Sequence, residues 1–310
     1  MEIAVLIPCY NEALTIGKVI DDFKKELPNA KIYVYDNNSR DRTAEIAEEH
    51  GAIVKKEYRQ GKGNVVRSMF FDIEADYYIM IDGDDTYPAE FAHSLLEPIM
   101  NNEADMVIGD RLSNGTYESE NKRNFHNFGN NLVKGLINTL YKSNINDIMT
   151  GYRAFNKFFV KSFPVMSPGF EIETELSIHS LDKRFLIKEL PINYRDRPEG
   201  SESKLNTFSD GIKVLRTIFT LFKDFKPFFF FLLWAVIFFL LGLAAGIPVI
   251  VEFLSTQFVT KVPSAILAVG LEILSMLSLA CALILDTVVA NSRKQYELEL
   301  HRVKALIRSK

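Results

Sequence analysis

Three carboxylates close one apolar run. Tyr77 to Ile81 is aromatic and β-branched, the pattern of a buried strand, and it stops at Asp82, Gly83, Asp84 and Asp85. Like charges at this spacing repel unless a cation sits among them. Oxygen donors suit a hard divalent ion, Mg2+ or Mn2+, whose coordination is commonly completed by substrate phosphates. Gly83 is expected to let the backbone turn tightly between Asp82 and Asp84. The alternative is an acidic turn capping a helix that begins near Pro88, with Asp85 serving either the ion or the cap.

The elements that must position these groups alternate along the chain. Strands are predicted over Ile3 to Pro8, Ile32 to Tyr35, Ala52 to Lys55, Tyr77 to Ile81 and Asp105 to Gly109, with helical patterns between them. Gly51 is expected to stop the helix that ends near His50. Such alternation argues for an open, mostly parallel sheet with helices on both faces, and ligands bind such sheets at the carboxyl ends of the strands. Asp36, Asp82 and the loop after Pro8 all fall there. That loop lacks the Gly-x-Gly-x-x-Gly of dinucleotide-binding folds, and no Walker sequence appears. A metal at Asp82 and Asp84 is the available means of holding phosphate.

Charge is unevenly distributed. The chain has 310 residues and a formal net charge of −4, yet charged side chains almost vanish between Lys226 and Asp286. Phe228 to Val251 has none and Ser264 to Leu285 only Glu272; about 20 apolar residues suffice to span a bilayer. Lys213, Arg216, Lys223 and Lys226 precede the first stretch. Arg293, Lys294, Arg302, Lys304, Arg308 and Lys310 follow the second, while the connector holds only Lys261. The positive-inside rule then predicts a two-span protein of the cell membrane with both termini cytoplasmic. Met1 to Pro8 lacks the basic leader of a secretory signal. Cys9 and Cys281 are expected to be packing residues rather than a disulfide.

Several motifs together carry a resemblance. Ile7-Pro-Cys-Tyr-Asn-Glu12, the strand-ending Asp36, Gln60-Gly-Lys-Gly63 and Asp82-Gly-Asp84 resemble family 2 glycosyltransferases of the GT-A fold. Gly109-Asp-Arg111, Asp147-Ile-Met-Thr-Gly-Tyr-Arg-Ala-Phe155 and Arg197-Pro-Glu-Gly-Ser-Glu-Ser-Lys-Leu205 are similar to the polyprenyl-phosphate branch, which includes dolichyl-phosphate mannose synthase and bacterial undecaprenyl-phosphate enzymes. The resemblance implies that Pro8, Tyr10 and Glu12 border a nucleotide and that Asp36 hydrogen-bonds its base or ribose, the alternative being a cap of its own loop. It implies that Lys62, Ser203 and Lys204 contact the donor, and that Arg197 serves the diphosphate, a role Arg195 would take if the alignment shifts. Arg111 and Arg123 would receive a lipid phosphate. Asp147 would orient an arginine or the acceptor, with a general-base role second. Lys62 has a second reading, a solvated lysine in a flexible loop. Thr86 stands where dolichyl-type members often carry glutamine. Glu171, Glu173 and Glu175 alternate, either serving a helix dipole or, for Glu173, facing the sugar.

The implied reaction is an inverting, metal-dependent transfer of one sugar, from UDP-glucose or UDP-N-acetylglucosamine, to polyprenyl phosphate. The acceptor phosphate is already mostly ionised at neutral pH, so it needs positioning more than deprotonation. Alternatives are a processive polysaccharide synthase, whose Gln-x-x-Arg-Trp segment is missing because the single tryptophan is Trp234, and a non-catalytic scaffold that binds nucleotide-sugar. Expected partners are the donor, the acceptor and membrane lipid, with a homo-oligomer and a downstream flippase beyond them, and no nucleic acid. The expected layout is a GT-A domain over 1–208, an amphipathic interfacial helix over 209–226, a transmembrane hairpin over 227–289 and a basic tail helix over 290–310.

Overall fold

A computed structural model of the chain describes residues 1–114, 124–198, 219–220 and 222–309, with backbone alone for 124–132. The chain divides into two compact units, Met1–Ile212 with Glu299–Lys310, and Lys213–Leu298. Arg123, Ser203, Lys204 and most of the expected interfacial helix lie outside the described residues.

The first unit is built on a seven-stranded sheet: β1 (Ile3–Cys9), β2 (Lys31–Asp36), β3 (Ile53–Lys56), β4 (Tyr77–Met80), β5 (Met106–Asp110), β6 (Arg153–Asn156) and β7 (Ile187–Pro191). The order across the sheet is β3-β2-β1-β4-β6-β5-β7. All neighbours are parallel except β6, which runs against both β4 and β5. β1 lies near the middle and is apolar almost throughout, as a strand covered on both faces must be.

Side chains alternate across the sheet. Val5, Ile7, Ile79, Ile81 and Ala154 share a core with α1 (Ile16–Glu26) and α4 (Ala92–Met100). Val19, Ile20 and Phe23 of α1 and Leu95, Leu96 and Ile99 of α4 fall at helical spacing, so one face of each helix is buried. Phe155, one residue on from Ala154, belongs to the opposite face. It lies 5.7 Å from the ring of Phe70 on α3 (Lys62–Asp72) and stacks at 5.2 Å on Phe159. Full burial of each such side chain stabilises by about 1.5–3 kcal/mol. The first unit also contains α2 (Thr43–Glu49), α5 (Asn124–Tyr141), α6 (Lys157–Ser162) and α7 (Ile172–Asp182). Gly51 follows α2 with φ 71°, the left-handed stop expected there.

α8 (Pro227–Thr256) and α9 (Val262–Ser309) are both long and apolar enough to cross a membrane by length and composition. The 30 residues of α8 rise about 45 Å at 1.5 Å each, more than the hydrocarbon core requires. The expected tail over 290–310 is no separate element: α9 runs through it without a break to Ser309. The two helices meet at Gly242, whose Cα faces the Glu272 carboxyl, and at Ser275, whose hydroxyl donates to the Ala235 carbonyl at 2.9 Å. Neither cysteine forms a disulfide; Cys9 is buried as expected, but Cys281 is exposed on α9 rather than packed.

Candidate active site

The ends of β1, β2, β4 and β5 converge on one edge of the sheet. Because β6 is antiparallel, it is the approach to its start, Asp147 to Tyr152, that arrives at this same edge. Arg153 pairs with Met80 of β4 and Ile108 of β5, and the Gly109 amide donates to the Tyr152 carbonyl at 2.9 Å.

The loops after β1 and β2 are laced together. Asn11, in the left-handed region at φ 54°, donates its amide to Ser39 Oγ at 2.9 Å and accepts from the Arg40 amide at 2.7 Å. The Glu12 amide donates to Thr43 Oγ1 at 2.8 Å. Pro8, Tyr10 and Glu12 are therefore held beside Asp36. Asp36 is buried and accepts from the Ser39 amide at 3.2 Å, so it does cap its own loop. Its neighbour Asn37 ties a third segment to this corner. The Asn37 side chain donates to the Glu57 and Arg59 carbonyls at 2.9 and 2.8 Å, and its oxygen accepts from the Gly61 amide at 2.6 Å.

Glycine is required at Gly61 and Gly63 because of the chain's own backbone. A Cβ at Gly63 would overlap the Ser167 carbonyl oxygen, and one at Gly61 the Pro168 carbonyl oxygen. The Gly63 and Asn64 amides donate to the Gly169 and Pro168 carbonyls at 3.1 and 3.2 Å. Lys62 is thereby turned inward. Its ammonium pairs with both Asp82 and Glu173, so the solvated-lysine reading does not hold. Burial disfavours the charged amine, but the two carboxylates outweigh it and push its pKa up.

The Asp82–Asp85 turn differs from expectation in one respect. Gly83 is not the residue in the left-handed region; Asp85 is, at φ 61°. Glycine stands at 83 for room, since a Cβ there would lie 2.8 Å from Cys9 Sγ. The Gly83 carbonyl accepts from Thr15 Oγ1 at 2.6 Å, which fixes the turn to the start of α1. Asp85 pairs with Lys18 at 2.6 Å and, more loosely, with Arg195 at 3.8 Å. Asp84 accepts from Thr86 Oγ1 at 2.6 Å and from Arg197 Nη2 at 2.5 Å. It is therefore Arg197 that meets the paired aspartates, and Arg195 that lies outside them. Burial and the neighbouring Asp82 push the Asp84 carboxyl up, and the Arg197 guanidinium counters them.

Among the described residues no group of three or more His, Cys, Asp or Glu side chains forms a metal cluster. Asp82 and Asp84 are two mutually repelling carboxylates, Asp84 paired with Arg197 and Asp82 with a Lys62 ammonium that it shares with Glu173. That donor set fits a hard divalent ion that takes its remaining oxygens from a substrate diphosphate. It does not fit a self-contained protein site.

Arg111 and Asp147 complete the edge. Asp147 takes the Arg111 Nε and Nη2 at 2.7 and 2.9 Å and its amide at 3.2 Å. Burial alone would push the Asp147 carboxyl up; Arg111 outweighs it and holds it below the usual carboxylate range. The Arg111 guanidinium also lies 5.9 and 5.7 Å from the rings of Tyr87 and Tyr194. Glu189 on β7 accepts from the Asn146 and Asp147 amides at 2.9 and 3.0 Å. Gly151 brings this loop against Asp82, because a Cβ there would press on that carboxylate.

Asn37, Thr15, Tyr87, Tyr194 and Glu189 act at this site without having been expected. Asn37 sits in a polar turn where asparagine is unremarkable, and Glu189 lies on a strand with no motif around it. Glu173, by contrast, is singled out by the alternation of glutamates from Glu171 to Glu175, and the structure pairs it with Lys62.

The model for glycosyl transferase family 2 matches residues 4–163. Glycosyltransferase AglJ of Haloferax volcanii is 34% identical, over 74% of this chain and 75% of that one. A dolichyl-phosphate hexose transferase of the same organism is 30% identical, over 70% of this chain and 92% of its own length. Among solved structures, Mycobacterium tuberculosis glucosyl-3-phosphoglycerate synthase with Mn2+, UDP-glucose and glycerol 3-phosphate superposes at a TM-score of 0.58. It shares 22% identity over 72% of this chain and 79% of that one, a likeness of fold. Fold and relatives define a glycosyltransferase on a GT-A scaffold. The chain belongs to glycosyl transferase family 2.

Proposed function

We propose that the protein transfers one sugar from a nucleotide-sugar, UDP-glucose or UDP-N-acetylglucosamine, to polyprenyl phosphate, with inversion at the anomeric carbon. The observation that carries this reading is the adjacency of two charge clusters suited to two phosphates. Asp82 and Asp84, with Lys62 and Arg197, suit a metal-bound diphosphate. Arg111, held by Asp147, suits an acceptor phosphate, since a guanidinium can address phosphate through two donors at once. The dolichyl-phosphate hexose transferase matched over 92% of its length supports the acceptor class.

On this reading Asp82 and Asp84 hold Mg2+ or Mn2+, which lowers the cost of the charge left on the departing diphosphate. The two loops from Pro8 to Glu12 and from Asp36 to Thr43 grip the nucleoside. Lys62 and Arg197 exchange their carboxylate partners for diphosphate oxygens as donor binds. Arg111 and Arg123 fix the acceptor phosphate, and one of its oxygens attacks the anomeric carbon while the bond to the diphosphate oxygen breaks. Asp147 keeps Arg111 aimed and takes no proton, because the nucleophile already carries its charge. Ser203 and Lys204 add donors to the leaving group. α8 and α9 hold the domain at the cell membrane with both termini cytoplasmic, near the lipid acceptor.

The test is incubation of membranes containing the chain with labelled UDP-sugars, followed by organic extraction. Label in a lipid that mild acid cleaves supports the reading. Label in high-molecular-weight polymer would favour a processive synthase instead.

A further inference from the structure

Beneath the acceptor side of the site lies a charge that the chemistry above does not use. Arg153, the first residue of β6, is 0% exposed. Among the described residues no carboxylate lies within ion-pair distance of its guanidinium. Its donors go to neutral acceptors instead, Nη1 to the Met106 sulfur at 3.5 Å and the others to oxygens. Nε donates to the Thr150 carbonyl at 3.0 Å, and Nη2 donates to the Ile148 carbonyl at 2.6 Å and to Ser177 Oγ at 3.0 Å. Glu173 and Asp147 attract this guanidinium from beyond contact distance, but burial without a direct ion pair is still costly, and an apolar side chain of similar volume would fill the space without that cost. A planar fork that reaches three oxygens from two segments is what only arginine provides.

Those segments carry the reacting edge. Ile148 and Thr150 belong to the loop that begins with Asp147 and whose Gly151 rests on Asp82. Ser177 is one turn along α7 from Glu173, and its hydroxyl is within hydrogen-bond distance of the Glu173 carbonyl at 3.1 Å. Glu173 is in turn the second carboxylate on Lys62. The loop has no regular hydrogen-bond ladder, so its shape depends on such side-chain contacts.

We infer that Arg153 is a positioning residue for sugar transfer: it clamps the Asp147–Gly151 loop to α7 and so sets Arg111–Asp147 on the acceptor side against Lys62–Glu173 on the donor side. The inference rests on the proposed transfer reaction, but concerns a residue that touches neither substrate. Arg153→Lys keeps the charge and loses the fork; it should fold yet misplace the loop.

The experiment compares the full-length chain, Arg153→Lys, Asp147→Asn and the double variant in one detergent. It reads kcat, the acceptor KM, the donor dissociation constant and the thermal melt. Arg153→Lys is expected to melt cooperatively and to bind donor within about threefold of the parent, while kcat over acceptor KM falls at least tenfold. Added to Asp147→Asn, it should cost less than about threefold more, because both act through one loop. A folded Arg153→Lys protein with both kinetic constants within twofold of the parent overturns the inference, as do losses that multiply in the double variant. If Arg153→Lys does not melt cooperatively, Ser177→Ala takes its place. A several-fold loss of kcat over acceptor KM that does not multiply with Asp147→Asn then supports the clamp, and unchanged constants overturn it. If the parent transfers sugar to another acceptor and not to polyprenyl phosphate, the functional reading fails. The same comparison on that acceptor still decides the role of Arg153.

Discussion

Arg111 and Asp147 form a two-point ion pair, Nε to Oδ2 at 2.7 Å and Nη2 to Oδ1 at 2.9 Å, in which the carboxylate is 1% exposed. A buried pair of this geometry fixes a guanidinium plane, which a lysine in the same place would not do. On the proposed reading the acceptor side of the site is thus preorganised, whereas the donor side consists of ion pairs that would exchange when substrate arrives.

The buried pair makes stability depend on pH. The Asp147 carboxyl has a lower pKa in the folded chain than when unfolded, because Arg111 outweighs the effect of burial. The unfolded chain then takes up the proton first. The pair's contribution is complete above about pH 4 and is lost as pH falls through the lower folded value. Melting temperatures of the parent and Asp147→Asn should differ most at neutral pH and converge as pH falls through the lowered folded value. A gap that stays constant down to acid pH would show that the carboxyl does not titrate as described.

Asp84→Asn should abolish transfer while leaving the fold intact. The amide keeps the shape but not the charge that Arg197 now neutralises and that a metal requires. Loss of a group stabilising the leaving charge typically costs about 100- to 1,000-fold in rate. Activity within tenfold of the parent at saturating Mg2+ or Mn2+, measured on protein with an unchanged melt, would remove Asp84 from the metal site.

Gly63→Ala tests whether the Gln60–Gly63 loop is glycine-rich for backbone crossing. The new Cβ would meet a carbonyl oxygen of the 167–169 segment, which hydrogen bonds hold in place and which cannot swing aside like a side-chain tip. Overpacking of this kind costs about 1–3 kcal/mol. A lowered melting temperature and weakened donor binding are expected together, since Lys62 sits in the same turn. Unchanged values of both would mean that the crossing is loose.

Much of this was legible beforehand, for physical reasons. The strand at Tyr77–Met80 announced itself through aromatic and β-branched residues, and Asp82 and Asp84 through charges that have no reason to adjoin without a cation. The antiparallel β6 was not legible, because Arg153 to Asn156 is too short and too mixed to show a period. The reason for each glycine was not legible either. Gly83 and Gly63 are set by Cys9 and by the 167–169 backbone, neighbours that only the fold supplies. The pairing of Lys62 with Glu173 depends on bringing α3 to α7, which no local pattern encodes.

The proposed topology has its own test. In a Cys281→Ser background, Phe258→Cys in the connector should react with an impermeant thiol reagent applied to intact cells. Ser309→Cys should react only after permeabilisation. The reverse labelling would invert the orientation and put the site on the wrong side for a cytoplasmic donor.

The central claim is sugar transfer to a lipid phosphate. It is tested most directly by giving the purified full-length chain, in detergent with Mg2+ or Mn2+, a labelled UDP-sugar and polyprenyl phosphate, then measuring label in the organic phase. The account predicts one sugar per lipid by mass spectrometry, released by mild acid, formed only when both divalent ion and phosphorylated lipid are present, and absent with Asp84→Asn. Label that appears without lipid phosphate, or as a chain of several sugars on one acceptor, would contradict it.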